Sequence, residues 1–96
     1  MVVMQLSARG EHALRALLEL ADASDGALVS AEQLARNQAV PGRHLELIMT
    51  ELRRAGLVHS KRGPEGGYSL ARPADQISLA EVARVINGPR LGPPRN

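Results

Sequence analysis

The chain has 96 residues, of which 44% are hydrophobic and 23% charged, and its formal net charge is +2 at pH 7. These values fit one small globular domain, and no apolar run reaches the roughly 20 residues of a membrane span, so we expect a cytoplasmic protein without membrane contact. The sequence contains no cysteine, which excludes disulfides, thiolate metal sites and cysteine nucleophiles from this chain.

The first predicted element is a helix that begins after an N-cap at Ser7 and ends near Ala23. Apolar residues cover more than one face of this helix. Its polar seam is narrow and consists of Glu11, Arg15, Glu19 and Asp22. Because a helix of this kind is usually buried on two sides, we expect a partner helix, and homodimerisation through this first helix is one hypothesis.

The next segment predicts two helices joined by a turn. A turn at Asp25–Gly26 and a short apolar stretch, Leu28–Val29, which could form a small strand, precede a capping box that begins at Ser30. Pro41 suits the first position of the following helix, and Gly56 suits its left-handed terminator. The inward side of that helix is predicted to consist of Leu45, Ile48, Met49 and Leu52.

A hairpin and a final helix complete the pattern. Two β-compatible runs, "LVHSKR" and "YSLAR", flank Gly63–Gly67, and Pro73 ends the second run. A capping box at Ser78 opens a helix that is predicted to stop at Gly88–Pro89. The order predicts a mainly α domain with a small β-wing, the winged helix-turn-helix, over residues 1–89, followed by a loose tail over residues 90–96.

The helix after Pro41 carries side chains that suit base recognition. Near its N-terminal end, Arg43 can bond a guanine, Glu46 can accept from a cytosine amine, and the exposed Leu47 can contact a thymine methyl. The alternative is a solvated helix face with charges that serve solubility. The residues alone leave both open.

The hairpin favours the DNA-binding interpretation. Lys61 and Arg62 stand at its entrance, where they can reach a phosphate backbone or place Arg62 in a minor groove. Its glycines permit positive φ and close approach of the backbone: Gly63, Gly66 and Gly67. The simpler alternative is a tight turn that needs glycine only for geometry. Tyr68, the only aromatic residue, is expected to pack at the base of the hairpin rather than stack on bases.

Three stretches, "MQLSARGEHALRALLEL", "HLELIMTELRRAGLVHSKRGPEGGYSLARP" and "ISLAEVARVINGP", resemble the Rrf-two family of bacterial transcriptional regulators, of the IscR and NsrR type. The resemblance covers Met4 to Pro89. It implies that the wing residues Arg62 and Gly63 enter a minor groove, and that Glu46 matches a family glutamate that helps to select the operator class. It also implies a DNA-reading helix that presents Arg43, His44, Glu46, Leu47 and Thr50.

The chain also departs from the family pattern. Leu47 replaces a residue that is often Gln, and His12 stands where Tyr is common. Family sensors usually carry cluster-binding cysteines and a long dimerisation helix beyond Gly88. Without cysteine, no cysteine-ligated iron–sulfur cluster can form on this chain, so we predict no cofactor. A truncated DNA-binding domain, a short family member and a chain whose partner supplies the helix all remain open.

The predicted function is sequence-specific binding of double-stranded DNA as a transcriptional regulator, with repression as the expected sense. The alternative is a winged-helix module for protein–protein association. We predict that the chain is not an enzyme, because His12, His44 and His59 lie on different predicted elements without metal-ligand spacing and no nucleophile elbow is present.

Overall fold

The computed structural model describes residues 7–23 and 27–91, with side chains up to Ile86. Its elements are α1 (Ala8–Asp22), α2 (Ala31–Gln38), α3 (Gly42–Arg54), β1 (Val58–Lys61), β2 (Gly67–Leu70), a short 3₁₀ helix (Ala74–Gln76) and α4 (Leu79–Leu91). This order confirms the predicted winged helix-turn-helix, to which the structure adds the 3₁₀ helix. The predicted turn at Asp25–Gly26 lies outside the described residues. None of the described helices is long and apolar enough to cross a bilayer.

Three helices begin at the predicted serine caps. In each case the serine hydroxyl accepts a hydrogen bond from the backbone N–H three residues later, which satisfies one of the free donors of the first turn. The bonds run from Gly10 N to Ser7 Oγ at 3.1 Å, from Gln33 N to Ser30 Oγ at 3.0 Å and from Glu81 N to Ser78 Oγ at 3.0 Å. The capping patterns in the sequence therefore predicted these helix starts correctly.

The turn between α2 and α3 contains a left-handed residue that is not glycine. Ala39 has a φ of 56°, and its N–H bonds the carbonyl of Ala35 and so closes α2. Pro41 occupies the N-cap of α3 with extended backbone, one position before the predicted place. At the other end of α3, Gly56 has a φ of 80°, which confirms the predicted left-handed terminator.

One hydrophobic core joins the helices and the first strand. All four predicted inward residues of α3 are completely buried, and Leu57 and Val58 continue this core into β1. The buried hydrophobic set is Ala13, Ala16, Leu17, Leu20, Leu34, Ala35, Leu45, Ile48, Met49, Leu52, Leu57, Val58, Val82 and Ile86. Because α3 is anchored along its whole length, its opposite face is held in a fixed position towards solvent.

The wing is an antiparallel hairpin that a third segment extends. β1 pairs with β2 in the register Val58↔Leu70 to Lys61↔Gly67. Beside β2, Val29 forms a single bridge with Tyr68, through bonds of 3.0 Å from Val29 N to Tyr68 O and 2.8 Å from Tyr68 N to Val29 O. The predicted strand at Leu28–Val29 is thus reduced to one bridging residue. Tyr68 packs against the core, as predicted.

The last helix extends further than the sequence predicted. α4 continues past Gly88 and Pro89 to Leu91, so the prediction that it stops at Gly88–Pro89 is wrong, and residues 90 and 91 are helical rather than part of a loose tail. Inside a helix Gly costs about 1 kcal/mol and Pro about 3 kcal/mol relative to Ala. Such costs disfavour continuation without forbidding it. The rest of the predicted tail, residues 92–96, lies outside the described residues.

Candidate nucleic-acid interface

The third helix and the wing flank one cleft of about 520 Å³. One wall is formed by α3 and the other by the end of β1 and the turn that follows it. The side chains and backbone on the two walls are Glu46, Thr50 and Arg53 of α3, and Ser60, Lys61, Arg62 and Gly63 of the wing. Tyr68, Gly66 and Gly67 complete the wing side, and Ser30 and Ala31 lie at the start of α2. Glu46 and Arg62, which the sequence placed on separate elements, therefore face the same space.

The buried face of α3 determines which residues face the wing. With Leu45, Ile48, Met49 and Leu52 inward, positions 46, 50 and 53 form a stripe along the flank beside the wing. Within this stripe the Thr50 hydroxyl donates to the Glu46 carbonyl at 2.8 Å, which leaves its oxygen free to accept a hydrogen bond. The stripe thus offers a carboxylate, a hydroxyl oxygen and a guanidinium in sequence along the helix.

Two predicted residues lie on the outermost face of α3 rather than in the cleft. Arg43 is exposed, and 57% of Leu47 is exposed. They stand one helical turn apart, close to the N-terminal end of the helix. An isolated exposed leucine is not unusual in itself. Leu47 is distinguished by its position, because it lies one turn from Arg43 on the side of α3 that the sequence predicted to face a major groove.

The glycines of the wing serve two different purposes. Gly63 has a φ of 113°, a conformation that favours glycine, and its carbonyl accepts from Gly66 N at 2.9 Å to close the turn. Gly66 does not use the positive φ that glycine permits, but it does allow the close approach of the backbone that the sequence predicted. A Cβ at Gly66 would instead collide with the carbonyl oxygen of Lys61. The turn is therefore compact and leaves Lys61 and Arg62 exposed at its entrance.

The cleft has a positive electrostatic character. Three cations and one carboxylate stand among its lining residues: Arg53, Lys61, Arg62 and Glu46. In the part of the chain that the structure describes, the two ion pairs join Arg9 to Glu51 and Arg72 to Glu81, so neither neutralises a cation of the cleft. A concave surface with uncompensated cations attracts phosphate groups.

The profile of the Rrf2 family, described as iron-dependent transcriptional regulator, matches residues 6–94. The chain belongs to the Rrf2 family. This finding confirms the resemblance read from the sequence. The Rrf2 family consists of transcriptional regulators rather than enzymes, which also confirms that the chain is not an enzyme.

Several curated proteins and solved structures are similar to this Rrf2 chain. An HTH-type regulator of this kind from Mycobacterium tuberculosis H37Rv is 49% identical over 86 residues, which cover 90% of this chain and 53% of the relative. IscR of Cereibacter sphaeroides is 44% identical, with 86% and 55% covered. The chain spans just over half the length of these relatives.

Solved Rrf2 structures share the fold. CymR, the global cysteine regulator of B. subtilis, superposes with a TM-score of 0.83 at 33% identity and covers 91% of this chain and 67% of its own. IscR of T. potens gives 0.78 at 35% identity, with 90% and 63% covered. The domain described for this chain is therefore the winged-helix part that it shares with these regulators.

The His44 ring lies on the flank of α3 that faces away from the wing. It is half-buried, and its Nε2 lies 2.9 Å from Nδ1 of His12 on α1, with the two rings edge to face. The three histidines lie on different elements, as predicted, but the contact between His12 and His44 was not predicted from the sequence. His59 is exposed on β1. His44 thus lies on the predicted DNA-reading helix of this Rrf2 protein, with one ring nitrogen already engaged.

A second contact fastens the same flank of α3. Arg9 Nη2 donates to Glu51 Oε1 at 2.8 Å, and both side chains are about one-third exposed. Arg9 and His12 are three residues apart on α1, and His44 and Glu51 are two turns apart on α3. The Arg9–Glu51 and His12–His44 contacts therefore hold the two helices together at two separate points. Neither contact was predicted from the sequence, because the partners are 42 and 32 positions apart in the chain.

The family description names iron dependence, but this Rrf2 chain lacks the cluster-binding cysteines that sensors of the family usually carry. The sequence has no cysteine, so thiolate ligation of an iron–sulfur cluster is impossible here. Across residues 7–23 and 27–91 there is also no group of three or more His, Asp or Glu side chains placed to hold a metal ion. The residues present do not fit a cluster.

Proposed function

We propose that this chain binds double-stranded DNA in a sequence-specific manner, with α3 in the major groove and the wing in an adjacent minor groove. The observation that carries the proposal is the shared cleft. Glu46 and Thr50 on α3 and Lys61, Arg62 and Gly63 on the wing border the same space. A duplex that meets one wall is therefore within reach of the other.

The N-terminal half of α3 supplies the base-reading groups in this proposal. Arg43 donates to a guanine, and Glu46 accepts from a cytosine amine. Leu47, which is 57% exposed, covers a thymine methyl. Thr50 contributes a hydroxyl oxygen one turn further along. His44 assists indirectly, because its contact with His12 fixes the helical turn from which Arg43 and Glu46 project.

The wing supplies the contacts to the sugar–phosphate backbone and the minor groove. The Arg62 guanidinium enters the minor groove, where the negative potential is strongest, and Lys61 neutralises a phosphate at its edge. Gly63 has no side chain between its backbone and a neighbouring strand, and no atom lies within 4 Å of the place where its Cβ would stand. The backbone at this position can therefore approach the DNA closely.

A salt titration tests this proposal. The affinity for a 20-base-pair duplex of mixed sequence should fall steeply with salt, and Arg62→Ala should reduce the logarithmic slope by about one unit, since one phosphate or groove contact is lost. Arg84→Ala, an exposed arginine on α4 outside the cleft, is the matched control and should leave the slope unchanged. Absence of duplex binding at low salt, or equal behaviour of the two variants, would favour the alternative of a protein-association module.

We further propose that two copies associate through α1. Leu18 is 60% exposed, and an apolar groove beside it is lined by Leu14, Leu17, Ile77 and Val82. The corresponding helix of a second copy would cover these side chains. Sedimentation should show a concentration-dependent dimer that Leu18→Asp abolishes, whereas a monomer at high protein concentration would disprove the association for this chain.

The expected regulatory sense is repression in the bacterial cytoplasm, because a protein that occupies a promoter can block transcription without a further activity. Transcription from a promoter that contains a binding site selected from a random duplex pool, measured with and without the protein, distinguishes repression from activation.

Since the chain lacks cysteine ligands for a cluster, we also propose that its DNA binding needs no iron. A chelator should therefore leave the affinity for duplex DNA unchanged.

A further inference from the structure

Arg53 lies in the last turn of α3 and was not among the residues predicted to touch DNA. It is exposed, and it lines the cleft together with Glu46 and Thr50 on the same stripe of the helix. Arg53 follows Glu46 by seven positions, which corresponds to about 10 Å along the helix axis. The guanidinium of Arg53 is therefore anchored well away from the N-terminal end, where base recognition takes place.

The surroundings of Arg53 leave its charge uncompensated. Neither of the two ion pairs among the described residues involves it, and the opposite wall of the cleft contributes Lys61 rather than an acid. Glu46 is the single carboxylate among the described residues that line the cleft, and it is two helical turns distant along α3. An anion between Arg53 and Lys61 would meet positive charge from both sides.

We propose that Arg53 is a phosphate-binding residue that sets the position of α3 in the major groove without reading a base. This inference rests on the proposed DNA binding and deepens it. The group recognised is a backbone phosphate of the duplex, held between the C-terminal end of α3 and the wing. Guanidinium is suited to this task because its fork of N–H donors matches two phosphate oxygens.

The main alternative is that Arg53 only complements the negative end of the helix dipole. Arg54 provides the matched control, since it is exposed in the same last turn, carries the same charge and does not line the cleft. Both arginines favour the helix terminus to a similar degree. Only Arg53 should affect DNA binding in the proposed manner.

The experiment measures the salt dependence of binding for wild type, Arg53→Gln, Arg54→Gln and Arg53→Lys. One probe is a 20-base-pair duplex of mixed sequence, and the second is a duplex selected from a random pool. Arg53→Gln should reduce the logarithmic slope by about 0.9 on both duplexes, because one phosphate contact is lost. Arg53→Lys should retain the slope, and so should Arg54→Gln. Thermal melting verifies that each variant is folded.

Two results would overturn the inference. Equal slopes for Arg53→Gln and wild type would exclude a phosphate contact, and a loss confined to the selected duplex would show base reading instead. If wild type binds duplex and loses slope on Arg62→Ala while Arg53→Gln does not, the inference fails and the proposed function stands. If wild type binds no duplex at low salt, both fail together.

Discussion

His12 Nδ1 on α1 and His44 Nε2 on α3 lie 2.9 Å apart, with their rings at 89° to each other. One of the two nitrogens must carry the hydrogen and the other must accept it. The contact joins the first helix to the N-terminal half of the helix that we propose reads DNA. Together with the Arg9–Glu51 ion pair it fastens one flank of α3, while the opposite flank borders the cleft.

Removal of either histidine should destabilise the domain in a coupled manner. A double-mutant cycle with His12→Ala and His44→Ala should give a coupling free energy of about 0.5–1.5 kcal/mol, the net value of one partly buried hydrogen bond. Denaturant unfolding provides the measurement. The control cycle pairs His12→Ala with His59→Ala, because His59 is exposed on β1, and it should be additive. Additivity in both cycles would contradict a direct contact between the two rings.

Glu46 should affect sequence preference more than total affinity. Glu46→Ala removes the only carboxylate from the α3 and wing walls of the cleft, so binding to a duplex of mixed sequence should be unchanged or stronger. Discrimination at one base pair should decrease by about 1–3 kcal/mol, because the acceptor for a cytosine amine is lost. Competition among duplexes with single substitutions measures this effect. A uniform loss on all duplexes would rule out a role in base reading.

Gly67 should tolerate no side chain, because β2 approaches Val29 at this point. A Cβ at Gly67 would lie 2.8 Å from the carbonyl carbon of Val29, and the bridge between Val29 and Tyr68 would have to open. We expect Gly67→Ala to lower the free energy of unfolding by about 1–3 kcal/mol. Gly42→Ala is the control, since no atom lies within 4 Å of its added Cβ, and it should be neutral or stabilising by up to about 1 kcal/mol. Similar effects at both positions would contradict this difference in packing.

The Arg72–Glu81 ion pair should make the free energy of unfolding depend on pH. A hydrogen bond from the Arg72 guanidinium at 2.6 Å is the main reason why the pKa of Glu81 lies below its usual value. A carboxyl whose pKa is lower in the folded state stabilises the fold above its unfolded pKa. This contribution disappears as the pH falls through the folded pKa, which lies below 4.5.

Glu81→Gln should therefore lower stability near neutral pH and reduce the loss of stability on acidification below about pH 4.5. Unfolding curves from pH 7 to pH 3 measure this dependence. Glu65→Gln, which removes an exposed carboxylate of the wing, controls for the change in net charge. An unchanged acid profile in Glu81→Gln would show that the ion pair is not maintained in solution.

Local patterns predicted much of this fold, because the features concerned depend on residues close together in the chain. The inward stripe Leu45, Ile48, Met49 and Leu52 follows from helical periodicity. The serine caps follow from residues three positions apart, and the terminator at Gly56 follows from the need for positive φ. The same periodicity correctly predicted that Leu47 is exposed on the outer face of α3.

Features that depend on distant residues could not be predicted. His12 and His44 are 32 positions apart, and Arg9 and Glu51 are 42 positions apart, so no local pattern joins them. The left-handed Ala39 has no signal in its residue type. Arg53 could likewise not be assigned to the cleft from the sequence, because the cleft forms only where the wing packs beside α3.

A direct test asks whether α3 and the wing address one duplex together. Because the chain has no cysteine, Leu47→Cys or Arg62→Cys provides a unique site for a tethered iron–EDTA cleavage reagent. On a duplex selected from a random pool, we predict cleavage from a major groove by the Leu47→Cys conjugate and from the adjacent minor groove by the Arg62→Cys conjugate, on the same side of the DNA. The Asp75→Cys conjugate, exposed in the 3₁₀ helix, should not cleave. Cleavage from only one of the first two positions, or on opposite sides of the duplex, would contradict simultaneous contact by α3 and the wing.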